Sequence, residues 1–414
     1  MECEYRFPNI PEVEHLRVIV WNQGKRLKTQ VKGKCPPKLR VLIKWYFEAF
    51  SWIHPIVRGS SGNFYSLYLP PIPSLAHARM FSSTISSLYF KRPLPLAVTI
   101  GVTTSCQYRC VHCSAAGRPS TKAVMTLQQI KKLVRECVDL GLSNITFTGG
   151  EPLLRADLEE CVASVPKDMA TSQVFTNALE LTEARAKSLR VAGLHGVQIS
   201  LDHFTPEKHD QMRGHSGAFL AVREGVKNAL QAGLYVGLST YATKQSAMDR
   251  SLRQMADLSS EWGVHELTVF DVIPTGRLRN EHDQLLDGPA RKALAIDSKA
   301  MNRKYRGKMR IVTQSWTNSG RGFAKIIGCL AAHMQFHVTA RGDLTPCDFT
   351  PLSIGDVTQQ PVQEIWNALL RHPAYCYRST VCRMQDPVFR DRYIHTIREG
   401  SDLPYPIQNL PTDP

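Results

Sequence analysis

Six times between residues 94 and 272 a short apolar, β-branched run is followed by a helical segment, and little else in the chain constrains its fold so strongly. The runs lie at 97–102, 144–148, 172–176, 197–201, 235–240 and 266–272. The best-marked helix starts at Thr126, where Gln129 completes a capping box, and ends at Gly141. Its apolar positions Leu127, Ile130, Leu133, Val134, Cys137 and Leu140 recur at helical spacing, which makes Cys137 a core thiol. Cys161, beside Leu158, Val162 and Val165, reads the same way, and further helices close at Gly193, Gly233 and Gly263. Repeated βα units imply a parallel sheet with helices outside it, and such sheets carry function at the carboxyl ends of their strands.

The first strand end carries Cys106-Gln-Tyr-Arg-Cys110-Val-His-Cys113, three thiols at C-x3-C-x2-C spacing. Structural zinc and ordinary iron–sulfur clusters take four protein ligands, so three cysteines suggest a four-iron cluster with one iron open; a partial zinc knuckle is the plainer alternative. The second strand ends in Thr148-Gly149-Gly150-Glu151-Pro152, where two glycines permit close backbone approach and a carboxylate can accept from an ammonium. The third ends in Thr176-Asn177 and the fourth in Ser200-Leu201-Asp202; helix-capping turns are the alternative account of the latter. His209-Asp210-Gln211-Met212-Arg213-Gly214 follows.

The cysteine loop, the Gly-Gly-Glu exit one βα unit later and the His-Asp-x-x-Arg-Gly run together resemble the radical S-adenosylmethionine (SAM) superfamily. The resemblance implies an α/β fold: a partial (β/α)6 TIM barrel, with an N-terminal mostly helical extension and a small C-terminal β-hairpin/helix iron–sulfur domain. It implies a [4Fe-4S] cluster on Cys106, Cys110 and Cys113, with SAM on the open iron and its amino group on Gly149, Gly150 and Glu151. Asn177, Ser200 and Asp202 would face SAM, its ribose or substrate, and Arg213 would offer a planar fork to the SAM carboxylate. His112 takes the place of an aromatic residue near the adenine. His209 and Asp210 are read as fixing a loop. Ser239 and Thr240 would approach the adenosine, and the 272–277 loop the adenine.

A second cysteine group follows the barrel. Twelve residues separate Cys329 from Gly342 and four separate Gly342 from Cys347, the opening of the SPASM and twitch extensions, and Cys376 and Cys382 complete a quartet. The glycine suits a hairpin between two strands that present the thiolates. With four cysteines here instead of seven, one auxiliary [4Fe-4S] cluster is expected, suited by full ligation to electron transfer; structural zinc is the alternative. His333 and His337 are read as structural, and Glu364, Trp366 and Leu369 as helix packing.

The expected domains are an N-terminal basic extension over 1–93, the radical SAM core over 94–280, a connector over 281–325, the auxiliary domain over 326–390 and a tail over 391–414. Residues 1–95 hold fourteen Lys and Arg against five Asp and Glu, much of the net +15. That excess could steer an acidic peptide, a polycarboxylate, nucleic acid or an anionic membrane surface, or serve only as a solvated face. An aromatic helix at 38–52 is read as a core or docking helix; an interfacial helix giving peripheral membrane contact is the other reading. Nothing points to DNA. The first residues lack a basic stretch before an apolar core, and eleven cysteines, seven of them in two groups, do not suit a disulfide framework, so a cytoplasmic location is expected.

The reaction implied by the resemblance is reductive cleavage of SAM to a 5′-deoxyadenosyl radical that abstracts hydrogen from substrate, with ferredoxin or flavodoxin as reductant. Oxidative maturation of a precursor peptide or peptide-derived cofactor is expected. The alternatives are oxidation or decarboxylation of a small molecule (a sugar, an aminocyclitol or a tetrapyrrole) and a non-catalytic iron–sulfur redox protein.

Overall fold

A computed structural model of the chain describes residues 2–8, 10–23, 26–59, 62–116, 120–313 and 328–410. Residues 314–325 of the expected connector and 411–414 of the tail lie outside the described residues. The six apolar runs form strands β6 (Ala97–Thr103), β7 (Asn144–Gly149), β8 (Thr171–Thr176), β9 (Gly196–Ser200), β10 (Tyr235–Ala242) and β11 (Glu266–Asp271). They lie side by side in chain order, each parallel to the next. The β-branched runs are buried on the faces that meet the surrounding helices, as a parallel sheet requires. The capping box at Thr126 is present, with Gln129 bonding back to the cap, on the helix Leu127–Asp139. Cys137 and Cys161 are fully buried in the core.

Further strands extend this sheet at both edges. The segment expected as connector contains the helix Gly288–Lys304 and β12 (Arg310–Thr313), which pairs parallel with β11. At the other edge β13 (Gln335–Val338) pairs parallel with β6, and β14 (Asp343–Thr345) returns antiparallel to it. The turn between them places Gly342 at φ +90°, the left-handed region a glycine enters freely. The auxiliary segment therefore grows from the barrel sheet itself, and among the described residues β12 is not joined to the far edge, which fits a partial barrel.

The N-terminal extension differs from the expected mostly helical one. It contains a three-stranded antiparallel sheet of β1 (Glu2–Tyr5), β2 (Arg17–Gln23) and β3 (Arg26–Lys32), a hairpin of β4 (Val57–Gly59) and β5 (Gly62–Phe64), and two helices, Pro37–Trp52 and Leu75–Leu88. Val18 and Val20 of β2 point into the core while Ile19 and Trp21 alternate with them on the opposite face, which blurs the inside–outside pattern that marks a strand. The first helix buries Leu39, Ile43 and Phe47 against this sheet and leaves Val41 and Trp45 exposed. Among the described residues no helix is long and apolar enough to cross a membrane.

The extension also closes the amino-terminal end of the barrel. Leu67 inserts between the first residues of the strands: its amide donates to Glu266 Oε2 (3.2 Å) and its carbonyl accepts from Asn144 Nδ2 (3.1 Å). A Cβ on Gly196 or Gly237 would stand 2.5 or 2.7 Å from its methyl groups, so both positions need glycine. Burial raises the carboxyl of Glu266 to about 6, against hydrogen bonds from Ser66, Leu67 and Thr268. A carboxyl whose folded pKa lies above its unfolded value contributes stability at low pH that is lost as pH rises through about 6. The protein is therefore expected to gain about 2 kcal/mol of unfolding free energy, relative to Glu266→Gln, as pH falls from about 7 to about 4.5. Denaturant titrations of both proteins at the two pH values check this.

Candidate active site

The cysteine loop leaves β6 and is held by its neighbours' backbones. Arg109 N donates to Arg213 O (3.2 Å) and Val111 N to Met212 O (2.9 Å). Gly214, at φ +61°, lets this segment approach; a Cβ there would meet Arg109 O at 2.8 Å. From the other side Arg277 Nη1 donates to Cys110 O (2.6 Å), and Gly276 packs where a Cβ would meet Cys113 O at 2.1 Å. The 272–277 loop thus braces the cysteine loop. Thr275 Oγ1 donates to Phe349 O (2.8 Å), two residues past Cys347, tying the same loop to the auxiliary segment.

Gly149-Gly150-Glu151 runs beside the entry to the cysteine loop. Gly150 N donates to Thr103 O and Glu151 N to Ser105 O, both at 2.8 Å. Side chains are excluded: a Cβ on Gly149 would stand 2.3 Å from Thr103 O, and one on Gly150 2.1 Å from Ser105 O. The two glycines are thus demanded by the neighbouring backbone before any ligand is considered. Glu151 is buried and accepts from Leu153 N (3.0 Å), Thr176 Oγ1 (2.7 Å) and Asn177 N (2.8 Å). Burial raises its carboxyl against these bonds. A carboxylate has about four acceptor sites, so one remains for a further donor.

The expected Arg213 is buried, with its guanidinium already engaged: Nε pairs with Asp202 Oδ2 at 2.7 Å and Nη1 approaches Cys110 Sγ at 3.7 Å. Burial opposes the charge on Asp202, but Arg213 first, then His112 and His209, outweigh it and hold the carboxyl below its ordinary value. His112 Nε2 lies 3.4 Å from Asp202 Oδ2, and its ring packs on Tyr241 with centroids 4.5 Å apart. His209 accepts from Asp202 N (3.1 Å), and Asp210 accepts from Gly217 N and Phe219 N, so both residues do fix the loop. Asn177 reaches Gln107 Oε1 at 3.4 Å. Ser200 ends β9 opposite Ser239 of β10, and Thr240 follows.

The donors fit a thiolate-held cluster with a polar ligand beside it. Burial foremost raises the Cys106 thiol, and Glu151, Cys110 and Cys113 add to it, so the three sulfurs and the carboxylate act on one another. Gln107 Nε2, His112 Nδ1 and Thr240 Oγ1 are buried polar atoms without a partner among the described residues, which suits a polar ligand at this rim.

In the auxiliary segment Cys329 and Cys347 are buried. Burial, then Cys329, pushes the Cys347 thiol up to about 12; burial, then Cys329 and Cys347, pushes Cys382 up as well. Two raised thiols beside a third sulfur suit a cation that would deprotonate them. Cys376, the fourth of the expected quartet, is exposed and its thiol donates to Pro373 O (3.6 Å). Among the described residues no three His, Cys, Asp or Glu side chains already stand in a metal-coordinating arrangement. His333 Nε2 donates to Tyr377 O (2.9 Å), His337 bonds Thr99 Oγ1 (2.8 Å), and Trp366 and Leu369 are buried.

Residues 100–258 match the model of the radical SAM superfamily, and residues 329–384 match that of the SPASM iron–sulfur cluster-binding domain. The chain belongs to the radical SAM superfamily. As a radical SAM enzyme with a SPASM domain it works with a [4Fe-4S] cluster, SAM and auxiliary iron–sulfur ligation. The AdoMet-dependent heme synthase of Methanosarcina barkeri is 28% identical over 292 residues, covering 66% of this chain and 82% of that protein. The Fe-coproporphyrin III synthase of the same organism is 30% identical over 191 residues, covering 46% of this chain and 47% of that one. The structure of Streptococcus suis SuiB bound to S-adenosylmethionine shares the fold at a TM-score of 0.56 and 16% identity, over 70% of this chain and 69% of that chain. Tyr241, Arg277 and Leu67 are site or barrel residues that the sequence reading did not single out; Arg277 lay in a loop marked for another role, and the other two carry no local signal.

Proposed function

We propose that this radical SAM enzyme carries out oxidative maturation of a ribosomally made peptide. In this reading Cys106, Cys110 and Cys113 hold the first cluster, while Gly149, Gly150 and the remaining lone pair of Glu151 receive the amino group of SAM. Asn177, Ser200, Asp202 and His112 line the rest of SAM, and Cys329, Cys347 and Cys382, with Cys376, hold one auxiliary cluster. Cluster and SAM together supply reductive carbon–sulfur cleavage and hydrogen-atom abstraction, with a ferredoxin or flavodoxin as electron source. Arg213, engaged with Asp202 and the Cys110 sulfur, orients those groups, and Arg277 and Gly276 brace the loop that carries the sulfurs.

The observation that carries the peptide reading is the N-terminal extension. It has its own hydrophobic core, and among the described residues its outer strand β3 pairs with β2 alone and exposes Arg26, Lys28 and Lys32. A basic strand edge is a surface onto which an extended acidic peptide can add. The heme synthase relatives favour a second reading, oxidation or decarboxylation of a tetrapyrrole carboxylate. Anaerobic incubation with SAM and dithionite separates the two. Candidate peptides encoded beside the gene are expected to stimulate 5′-deoxyadenosine release and to lose mass by hydrogen removal. Stimulation by Fe-coproporphyrin III alone would support the second reading and reject the first.

A further inference from the structure

Arg383 is 3% exposed, yet no carboxylate pairs with it among the described residues. Its guanidinium lies over three aromatic rings, 5.0 Å from Tyr375, 4.6 Å from Tyr377 and 5.7 Å from Phe389. Nη2 donates to the Tyr377 carbonyl at 2.5 Å, and Nε has no hydrogen-bond partner among the described residues. Ring faces and one carbonyl are weak compensation for a buried cation, which ordinarily finds an anion. The neighbouring sulfurs are the groups able to supply one. Arg383 follows Cys382 in the chain, and two of the rings under its guanidinium, Tyr375 and Tyr377, flank Cys376.

We propose that Arg383 is the cationic partner of the auxiliary iron–sulfur cluster, boxed by aromatic rings so that its charge raises the cluster's reduction potential. This rests on the reading that Cys329, Cys347 and Cys382 hold iron and sulfide. A cluster gains one negative charge when it takes up one electron, so a fixed cation in a water-poor pocket stabilises the reduced form more than the oxidised form. Arginine suits the position because it stays charged, is weakly hydrated and stacks on rings. A carboxylate partner would cancel its effect, whereas Tyr375, Tyr377 and Phe389 hold it and leave the charge intact.

The test uses the full chain carrying Cys106→Ala, Cys110→Ala and Cys113→Ala, so that any bound iron is auxiliary. Iron, sulfide and zinc are counted after anaerobic reconstitution, and the midpoint potential is read by a dithionite titration followed by electron paramagnetic resonance. Arg383→Gln and Arg383→Met are expected to lower the midpoint, and Arg383→Lys to lower it less. Iron lost from the Gln and Met variants but kept by the Lys variant also supports a requirement for charge. An unchanged midpoint in iron-loaded Gln and Met variants overturns the inference, as does loss of iron from all three, which would assign the residue to packing. Zinc in place of iron in the parent protein overturns the iron–sulfur reading and the inference with it.

Discussion

Replacing any one of Cys106, Cys110 and Cys113 by alanine is expected to abolish SAM cleavage. The three sulfurs share one pocket, and with one removed the cluster keeps two protein ligands where the open-site arrangement needs three. Anaerobically reconstituted variants should lose the iron of one four-iron cluster while retaining the auxiliary iron, and 5′-deoxyadenosine should fall to the level without enzyme. Cys110 is the most consequential of the three, since its buried sulfur also faces the guanidinium of Arg213. Turnover that survived in these variants would mean that the loop does not hold the reactive cluster.

Gly150→Ala should cost nearly as much without removing a ligand. Its Cβ would lie 2.1 Å from Ser105 O and 2.9 Å from Thr104 O, both backbone atoms that cannot swing aside. Either the Gly-Gly-Glu exit or the cysteine loop must move, and a misplacement of about 1 Å near reacting groups can cost roughly a hundredfold. Overpacking adds about 1–3 kcal/mol of lost stability. The expected result is at least about a hundredfold loss of 5′-deoxyadenosine formation with iron still bound. Gly233→Ala is the matched control. It has a positive φ (+73°), which Gly150 does not, and nothing lies within 4 Å of the added methyl, so its cost is backbone strain alone. Equal activity in the two variants would show that the close packing of the strand exits does not set the geometry.

The barrel strands were legible because buried β-branched runs, capping boxes and closing glycines are local signals. All six strands fall within about two residues of the reading, and the cysteine loop and Gly149-Gly150-Glu151 sit at neighbouring strand ends as a parallel sheet dictates. What escaped depends on partners far away in the chain. Leu67 is an ordinary leucine until Gly196 and Gly237 make room for it, and Arg383 an ordinary arginine until three rings close around it. Arg213 carries the reverse lesson: its fork was aimed at a ligand, but Asp202, eleven positions earlier, already occupies one side of it. The glycines were read for the ligand they admit, whereas the backbone of Thr103 and Ser105 requires them first. The strands of the extension were hidden because a small sheet with apolar residues on both faces has no clean alternation.

The seat of Leu67 bears on how such an enzyme can be recombined with other modules. The amino-acid pattern changes near residue 94, which invites a cut there, and that cut would leave the catalytic half uncorked. Asn144 and Glu266 would lose partners at the barrel floor, and water would gain a route towards the lumen. A transplantable unit should keep Leu67 and its flanking turn, because this leucine belongs by contact to the barrel although it belongs by chain to the extension. Exchanging the outer strand and helices then tests the proposed peptide edge, and the floor stays with the barrel.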